Sequence, residues 1–283
     1  MRIFKALVIL FLLAGLAAFG LGSWYFLVYK PQQDDARAVA TAGARSQATP
    51  DPSSPDFEKA RALRREHKLP EARAALMALL DKFPDSSHRD EVEAMIGGIN
   101  VESALNGLPG PDKLEYTVRS GDTLDKVARR LKSSAELIFR ANGLTTSRLR
   151  IGQKLVVPQL DVALEIHLDD HKVLLRNRGA FFKSYRIKTL RVQVKKTFPE
   201  IKTKVFEKLA FKNGLRVIFG SPGFAESIRA ISVVGQPGYT IFGEPDDPAG
   251  EKPPAGGIGL EAGDVEEIHA LVNVGTPVTI TKE

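Results

Sequence analysis

Residues 115–158 read EYTVRSGDTLDKVARRLKSSAELIFRANGLTTSRLRIGQKLVVP, and turn chemistry divides them into strand, helix, helix and strand. Tyr116 and Val118 alternate with polar Thr117 and Arg119, the period-2 pattern of a half-buried strand. Ser120-Gly121 turns the chain, and Asp122 stands where a carboxylate caps the first amides of a helix. That helix is predicted from about Thr123 to Leu131, with Leu124, Val127, Ala128 and Leu131 on one face and Asp125, Lys126, Arg129 and Arg130 on the other. A second helix begins at a capping Ser134, carries Leu137, Ile138 and Ala141 inward, and stops at Asn142-Gly143. Gly152 turns the chain into a second strand, Lys154–Val157, closed by Pro158.

In order, YTVRSGDTL, AELIFRANGL and LRIGQKLVVP resemble the lysin motif, or LysM, a βααβ module that binds N-acetylglucosamine-containing glycans such as peptidoglycan and chitin. The resemblance covers 114–159 and implies a shallow sugar groove between the loop after the first strand and the loop before the second. On this chain those loops are Gly121, Asp122, Thr123 and Leu124 on one side and Leu149, Arg150 and Ile151 on the other. Backbone donors and acceptors on fixed turns suit an acetamido group, and apolar side chains suit its methyl. Gly121, Asp122 and Gly152 would also be needed for turns and capping in a module that bound nothing.

Upstream, Ala6 to Val28 is an uncharged, mostly apolar run of 23 residues, long enough to cross a bilayer as a helix. Arg2 and Lys5 precede it and Trp24, Tyr25 and Tyr29 follow as an aromatic belt, so 1–30 is expected to be a single-pass anchor with its N-terminus in the cytoplasm. Small residues Gly20, Gly22 and Ser23 leave a cleavable signal peptide as the alternative, but the apolar run exceeds the usual signal core. Either reading exports the remainder, with the C-terminal domains in the periplasm or wall space of a bacterial inner membrane. Residues 31–55, rich in Ala, Gln, Ser, Pro and Asp, read as a disordered spacer. Residues 56–107 then carry three helical stripes, interrupted at Leu69-Pro70 and Phe83-Pro84-Asp85, and resemble one tetratricopeptide-type unit. One such unit is too short for a solenoid, so docking on its own neighbours outweighs a groove for a protein partner.

Downstream, 162–283 is β-rich. Ala163–Leu168, Lys172–Arg176 and Phe181–Thr189 read as consecutive strands with turns at Asp169-Asp170 and Asn177–Gly179. Leu215–Phe219, Tyr239–Phe242 and Val278–Thr281 are further strands, and Asp264–Leu271 is a short helix with Val265, Ile268 and Val272 inward. LEIHLDDHKVLLRNRGAFFKSYRI and GYTIFGEPDDP…PAGGIGLEAGDVEEIHALVNVGTPVTI resemble the opening and closing segments of an L,D-transpeptidase catalytic domain, whereas 190–214 match poorly. That resemblance implies a cysteine nucleophile, an activating histidine and an arginine two positions after the cysteine. Here Gly257 takes the cysteine's place, Gly259 the arginine's, Pro254 that of the motif serine and Phe242 the histidine's. Thiolate attack needs the sulfur, so no catalytic residue is expected at these positions.

Composition agrees with this plan. The 283 residues are enough for a small module and one cored domain, and the absence of cysteine removes thiolate chemistry and disulfides together. The net charge of +6 is modest, and residues 115–158 carry nine Lys/Arg against four Asp/Glu, a balance that favours an anionic wall polymer or membrane surface. Nucleic acid is a poor alternative partner, since no recognition motif is present and an exported chain does not meet it. No cofactor or metal set is expected. The fold class expected is thus multidomain α+β: transmembrane helix, tetratricopeptide-like helical segment, βααβ LysM module and mostly-β L,D-transpeptidase-like domain. The function expected is a membrane-anchored, non-catalytic binder of peptidoglycan glycan strands. The alternative is an active wall-remodelling enzyme with a relocated nucleophile, to which the five histidines, His67, His88, His167, His171 and His269, would have to contribute.

Overall fold

Three amphipathic helices open the computed structural model, which describes residues 51–192, 198–245 and 256–282. The expected anchor, most of the spacer and Pro254 lie outside these residues. Among the described residues no helix is long and apolar enough to cross a membrane. Helices α1 (Ser54–Arg65), α2 (Leu69–Lys82) and α3 (Arg89–Leu105) enclose Phe57, Ala60, Leu76, Leu79, Val92, Ile96 and Ile99. Pro in the first turn of α1 and of α2 costs no hydrogen bond, because those amides have no partner within the helix. Helix α3 docks on the chain itself: Asn100 accepts from Arg73 at 2.6 Å and donates to the Phe182 carbonyl at 2.7 Å. Gly97 permits this approach, since a Cβ there would stand 2.7 Å from a side-chain carbon of Lys183.

The LysM segment folds as β1 (Lys113–Thr117), α4 (Leu124–Arg130), α5 (Ala135–Ala141) and β2 (Lys154–Pro158). The strands are antiparallel, with Thr117 opposite Lys154. Val118, Leu124, Val127, Ala128, Ile138, Leu155 and Val157 form its core. Ser134 caps α5 as expected, accepting from the Leu137 amide at 3.0 Å. Asn142 joins helix to strand, donating to the Ile138 and Val156 carbonyls at 2.7 Å each and accepting from the Val156 amide at 2.8 Å. The cap of α4 is Thr123, which accepts from the Lys126 amide at 3.3 Å, and not Asp122. One position earlier, the Asp122 carboxylate is drawn back to Tyr116 and the Arg119 amide.

The remainder builds one ten-stranded sheet. Its order is β5-β4-β3-β12-β7-β9-β10-β11-β6, with β8 paired beside β7. The strands are β3 (Val162–His167), β4 (Lys172–Asn177), β5 (Ala180–Arg186), β6 (Thr189–Arg191), β7 (Ile201–Lys212), β8 (Leu215–Arg216), β9 (Ile228–Val233), β10 (Ile241–Glu244), β11 (Gly257–Glu261) and β12 (Pro277–Thr281). Most pairs are antiparallel, but β12 runs parallel to β3 and β10 parallel to β11. Strands β5 and β6 lie at opposite ends of this order yet only two residues separate them, so the sheet curls until its ends meet. Inside lie Leu164, Ile166, Val173, Tyr185, Ile231, Ile258, Val278 and Ile280, covered by helix α6 (Ala262–Leu271) through Val265 and Ile268.

Several boundaries differ from expectation, each for a local reason. The run Phe181–Thr189 is two strands, because the Ile187 amide bonds back to His171 while the Lys188 amide crosses to Gly259. The strand expected at Leu215–Phe219 is only Leu215–Arg216, and Tyr239 closes a 3-10 turn over Pro237–Tyr239 before β10 begins. Strand β7, the longest, fell in the stretch without assignment. A bulge between Val205 and Glu207 shifts its alternation and leaves Phe206 outward, so no single period runs through it.

Candidate functional site: the LysM groove and the glycine-floored β-sheet

Beyond the Thr117–Lys154 pair, the Val118 amide bonds Gln153 and the Gly152 amide bonds Val118, both at 2.9 Å. These bonds set the bases of the two expected groove loops side by side, and Leu124 and Leu149 join one apolar cluster between them. Gly121 and Gly152 have φ of 79° and 85°, and a Cβ on either would meet nothing within 4 Å. Glycine is therefore required there by the left-handed backbone and not by crowding. Gln153 braces the second loop, its side chain accepting from the Arg150 amide at 3.1 Å. Lys126 braces the first, donating to the Gly121 carbonyl at 2.8 Å.

The seven candidate residues divide by exposure. Gly121, Thr123, Arg150 and Ile151 face solvent, Leu149 is half-buried, and Leu124 is buried beneath them. Ile151 is 74% exposed, a large apolar side chain at the lip with nothing of its own chain to cover it. The Asp122 carboxylate is 3% exposed and accepts from Tyr116 Oη at 2.6 Å, the Arg119 amide at 2.8 Å and Arg130 Nη2 at 3.1 Å. The Tyr116 hydrogen bond first, then the Arg119 amide, hold its carboxyl below the usual carboxylate value against the opposing effect of burial. Asp122 is thus a strut tying strand, turn and helix, with little carboxylate surface left for a sugar. Sequence reasoning did not find Tyr116, Arg130 or Gln153 as supports of the loops, because spacing alone does not show which side chains meet.

In the β-rich domain Phe242 and Gly259 are register partners on the parallel strands β10 and β11. Phe242 is fully buried and Arg191 lies over its ring at 5.2 Å. Gly257 has φ of 128°, and a Cβ there would fall inside contact distance of the Thr240 carbonyl and 3.2 Å from the Phe242 ring. A Cβ at Gly259 would collide with Glu244 Oε1 and Thr189 Oγ1, which hydrogen-bond each other, while Arg191 donates to both Glu244 oxygens at 3.1 and 3.2 Å. The volume that side chains at 257 and 259 would take is filled by a ring and an ionic cluster.

The histidines are scattered. His88 stacks on Phe57 at 4.4 Å, His67 is exposed with φ of 57°, and His167 and His171 flank the first hairpin. His269 is 4% exposed, and its Nδ1 lies 2.6 Å from Glu136 of the LysM segment. Neighbouring Ser133 and Ser134 donate to the Pro158 and Ala270 carbonyls at 2.8 and 2.7 Å, so both hydroxyl protons are already engaged. Among the described residues no cluster of His, Asp and Glu has the make-up of a metal site.

Residues 116–158 match the LysM domain family. No curated protein matches the sequence. Solved structures similar to the chain include an L,D-transpeptidase from Mycobacterium smegmatis, at 15% identity and a TM-score of 0.30 over 47% of this chain and 64% of that one. An L,D-transpeptidase from Mycobacterium tuberculosis has 12% identity and a TM-score of 0.29 over 47% and 74%. One from Xylanimonas cellulosilytica has 15% identity and a TM-score of 0.28 over 62% and 100%. The chain thus spans less than two thirds of the Mycobacterium smegmatis protein, and TM-scores this low carry no argument about the chemistry here. The segment whose strand pairing, capping and loop glycines have been described, residues 116–158, is a LysM domain.

Proposed function

We propose that this protein is a non-catalytic binder of peptidoglycan, holding N-acetylglucosamine-containing glycan between Gly121–Leu124 and Leu149–Ile151. The exposed Ile151 beside two backbone-ordered loops carries the reading: an apolar lip next to amides and carbonyls is the chemistry an N-acetyl sugar needs. The β-rich domain serves as a rigid partner to this module. The glycine floor supports its lack of transpeptidase chemistry, since Gly257 brings no nucleophile and the space around it is occupied by Phe242. The apolar run from Ala6 to Val28 supports a single membrane anchor that leaves these domains facing the wall.

Sedimentation with insoluble peptidoglycan tests the reading. The purified chain co-sediments, and Ile151→Asp lowers the retained fraction several-fold without changing the thermal midpoint, since Ile151 is exposed. Retention unchanged in that variant removes the groove assignment. Incubation with muropeptides leaves their product profile unaltered, and cross-linked or cleaved products overturn the non-catalytic part.

A further inference from the structure

The LysM domain does not stand apart from the β-rich domain. Phe219, in the segment after β8, packs against the LysM core cluster and meets Phe139 of α5 edge to face, with ring centroids 5.4 Å apart. The same ring meets Phe224 of its own domain edge to face at 5.3 Å. Gly220 follows and lies against the LysM loop that leads to Leu149, since a Cβ there would stand 3.3 Å from Ser147 Oγ. Beside this junction a cavity of about 700 Å³ remains, walled by α4 and the start of α5 on the LysM side and by Lys208, residues 216–219 and Val274 on the other.

None of the seven groove residues lines this cavity, but its lining begins at Asp125, the residue after Leu124. Residues 216–220 thus border both the helix that leaves the first groove loop and the chain that enters the second. The junction adjoins the groove at each of its loops.

The charges around the opening are uneven. Lys208 lies 3.9 Å from Glu136, which His269 also faces, and Arg216 pairs with Glu207, so these two cations are already matched. Arg129, in the last turn of α4, and Lys132, just beyond it, are exposed and line the cavity. Arg148, next to Ser147, is exposed as well. None of these three enters an ion pair among the described residues, in contrast to Arg130, which is tied to Asp122. Against them stands Asp125, the remaining carboxylate of the lining. Uncompensated cations around one opening raise the local concentration of an anion. Ile218 and Val274, 68% and 66% exposed, line the cavity beside them, and an apolar edge next to cations suits a carboxylate carried on a carbon skeleton better than a bare inorganic ion. Arg129 stands five residues after Leu124, about 7.5 Å along the helix, so an anion here and a sugar in the groove can belong to one molecule.

We infer that, with glycan in the LysM groove, the mouth of this cavity is a second subsite that takes a carboxylate on the neighbouring sugar of the same strand. Residues 216–220 of the β-rich domain complete that surface. The two domains together then select an acidic N-acetylated glycan over a neutral one, a role for the β-rich domain that needs no nucleophile.

The test uses the purified full chain and two tetrasaccharides. One is N-acetylglucosamine throughout, and the other carries N-acetylmuramic acid at alternate positions, whose lactyl groups end in carboxylates. Calorimetry gives roughly fivefold tighter binding of the acidic glycan, the gain from two or three exposed ion pairs. Salt at about 1 M closes the gap by screening. Arg129→Ser with Lys132→Ser also closes it and leaves the affinity for the neutral glycan unchanged. Backbone amide NMR signals of residues 216–220 shift on titration with the acidic glycan and not with the neutral one, a readout independent of any variant. Equal affinities, a preference that survives the double variant, or no shift in 216–220 overturns the subsite and leaves the groove reading intact. If Ile151→Asp fails to weaken binding of the neutral tetrasaccharide, the groove reading falls and the subsite with it.

Discussion

Replacing Gly257 by Ala tests whether a side chain has room at this position of the sheet. The added Cβ falls inside contact distance of the Thr240 carbonyl, and that oxygen cannot swing away because it accepts from the Ile258 amide at 2.8 Å. It also stands 3.2 Å from the buried Phe242 ring. At φ of 128° a non-glycine residue carries strain of about 1–3 kcal/mol. Overpacking in a close-packed core adds about 1–3 kcal/mol. The expected destabilisation is therefore roughly 2–6 kcal/mol, or about 4–20 °C in unfolding midpoint for a domain of this size. Urea unfolding followed by far-UV circular dichroism measures it, with the midpoint falling at constant slope. Gly259→Ala is the internal comparison. The atoms nearest its Cβ are side-chain ends of Glu244 and Thr189, which can rotate, so it loses less than Gly257→Ala. A Gly257→Ala protein within about 0.5 kcal/mol of wild type, the range of ordinary surface changes, would refute the reasoning and reopen the site to a side chain.

Other perturbations probe the interdomain seam and the LysM core. Burial pushes Lys208 down to about 8 from 10.5, so the folded state binds fewer protons than the unfolded one between those values. Stability of the wild type therefore rises relative to Lys208→Met as pH goes from 8 to 10.5, by up to about 3 kcal/mol, measured by denaturant midpoints at each pH. His269 lies below its ordinary 6.5, so its unfolded form takes up protons first and stability falls as pH drops below 6.5. His269→Gln, compared in the same unfolding series, loses that part of the acid slope. Asn142→Ala removes two hydrogen bonds to Val156 of β2 and one to the Ile138 carbonyl of α5 and is expected to cost roughly 2–3 kcal/mol, with hydrogen exchange rising first in residues 113–158.

Local rules made the LysM segment legible. Ser134 and Asn142-Gly143 act where their chemistry predicts, and the stripes of Leu124, Val127 and Ala128 and of Leu137, Ile138 and Ala141 all face inward. The hairpin of β3 and β4 and the inward Val265, Ile268 and Val272 follow in the same way, because turns and periodicity are short-range properties. Asp122 shows where this stops. Its position before a helix suggests a cap, but the competing partners Tyr116 and Arg130 come from a strand and from the helix's far end.

What the sequence determined by itself is therefore the βααβ unit, the two hairpin turns and the residues Gly257, Phe242 and Gly259 themselves, since each depends on neighbours or on residue identity alone. Tertiary structure decided the rest. Only the curled sheet brings β6 beside β11 and fills the space at Gly259 with Thr189 and Glu244. Only the docking of α5 against α6 buries Glu136 with His269, a pairing across 133 residues that no local pattern encodes.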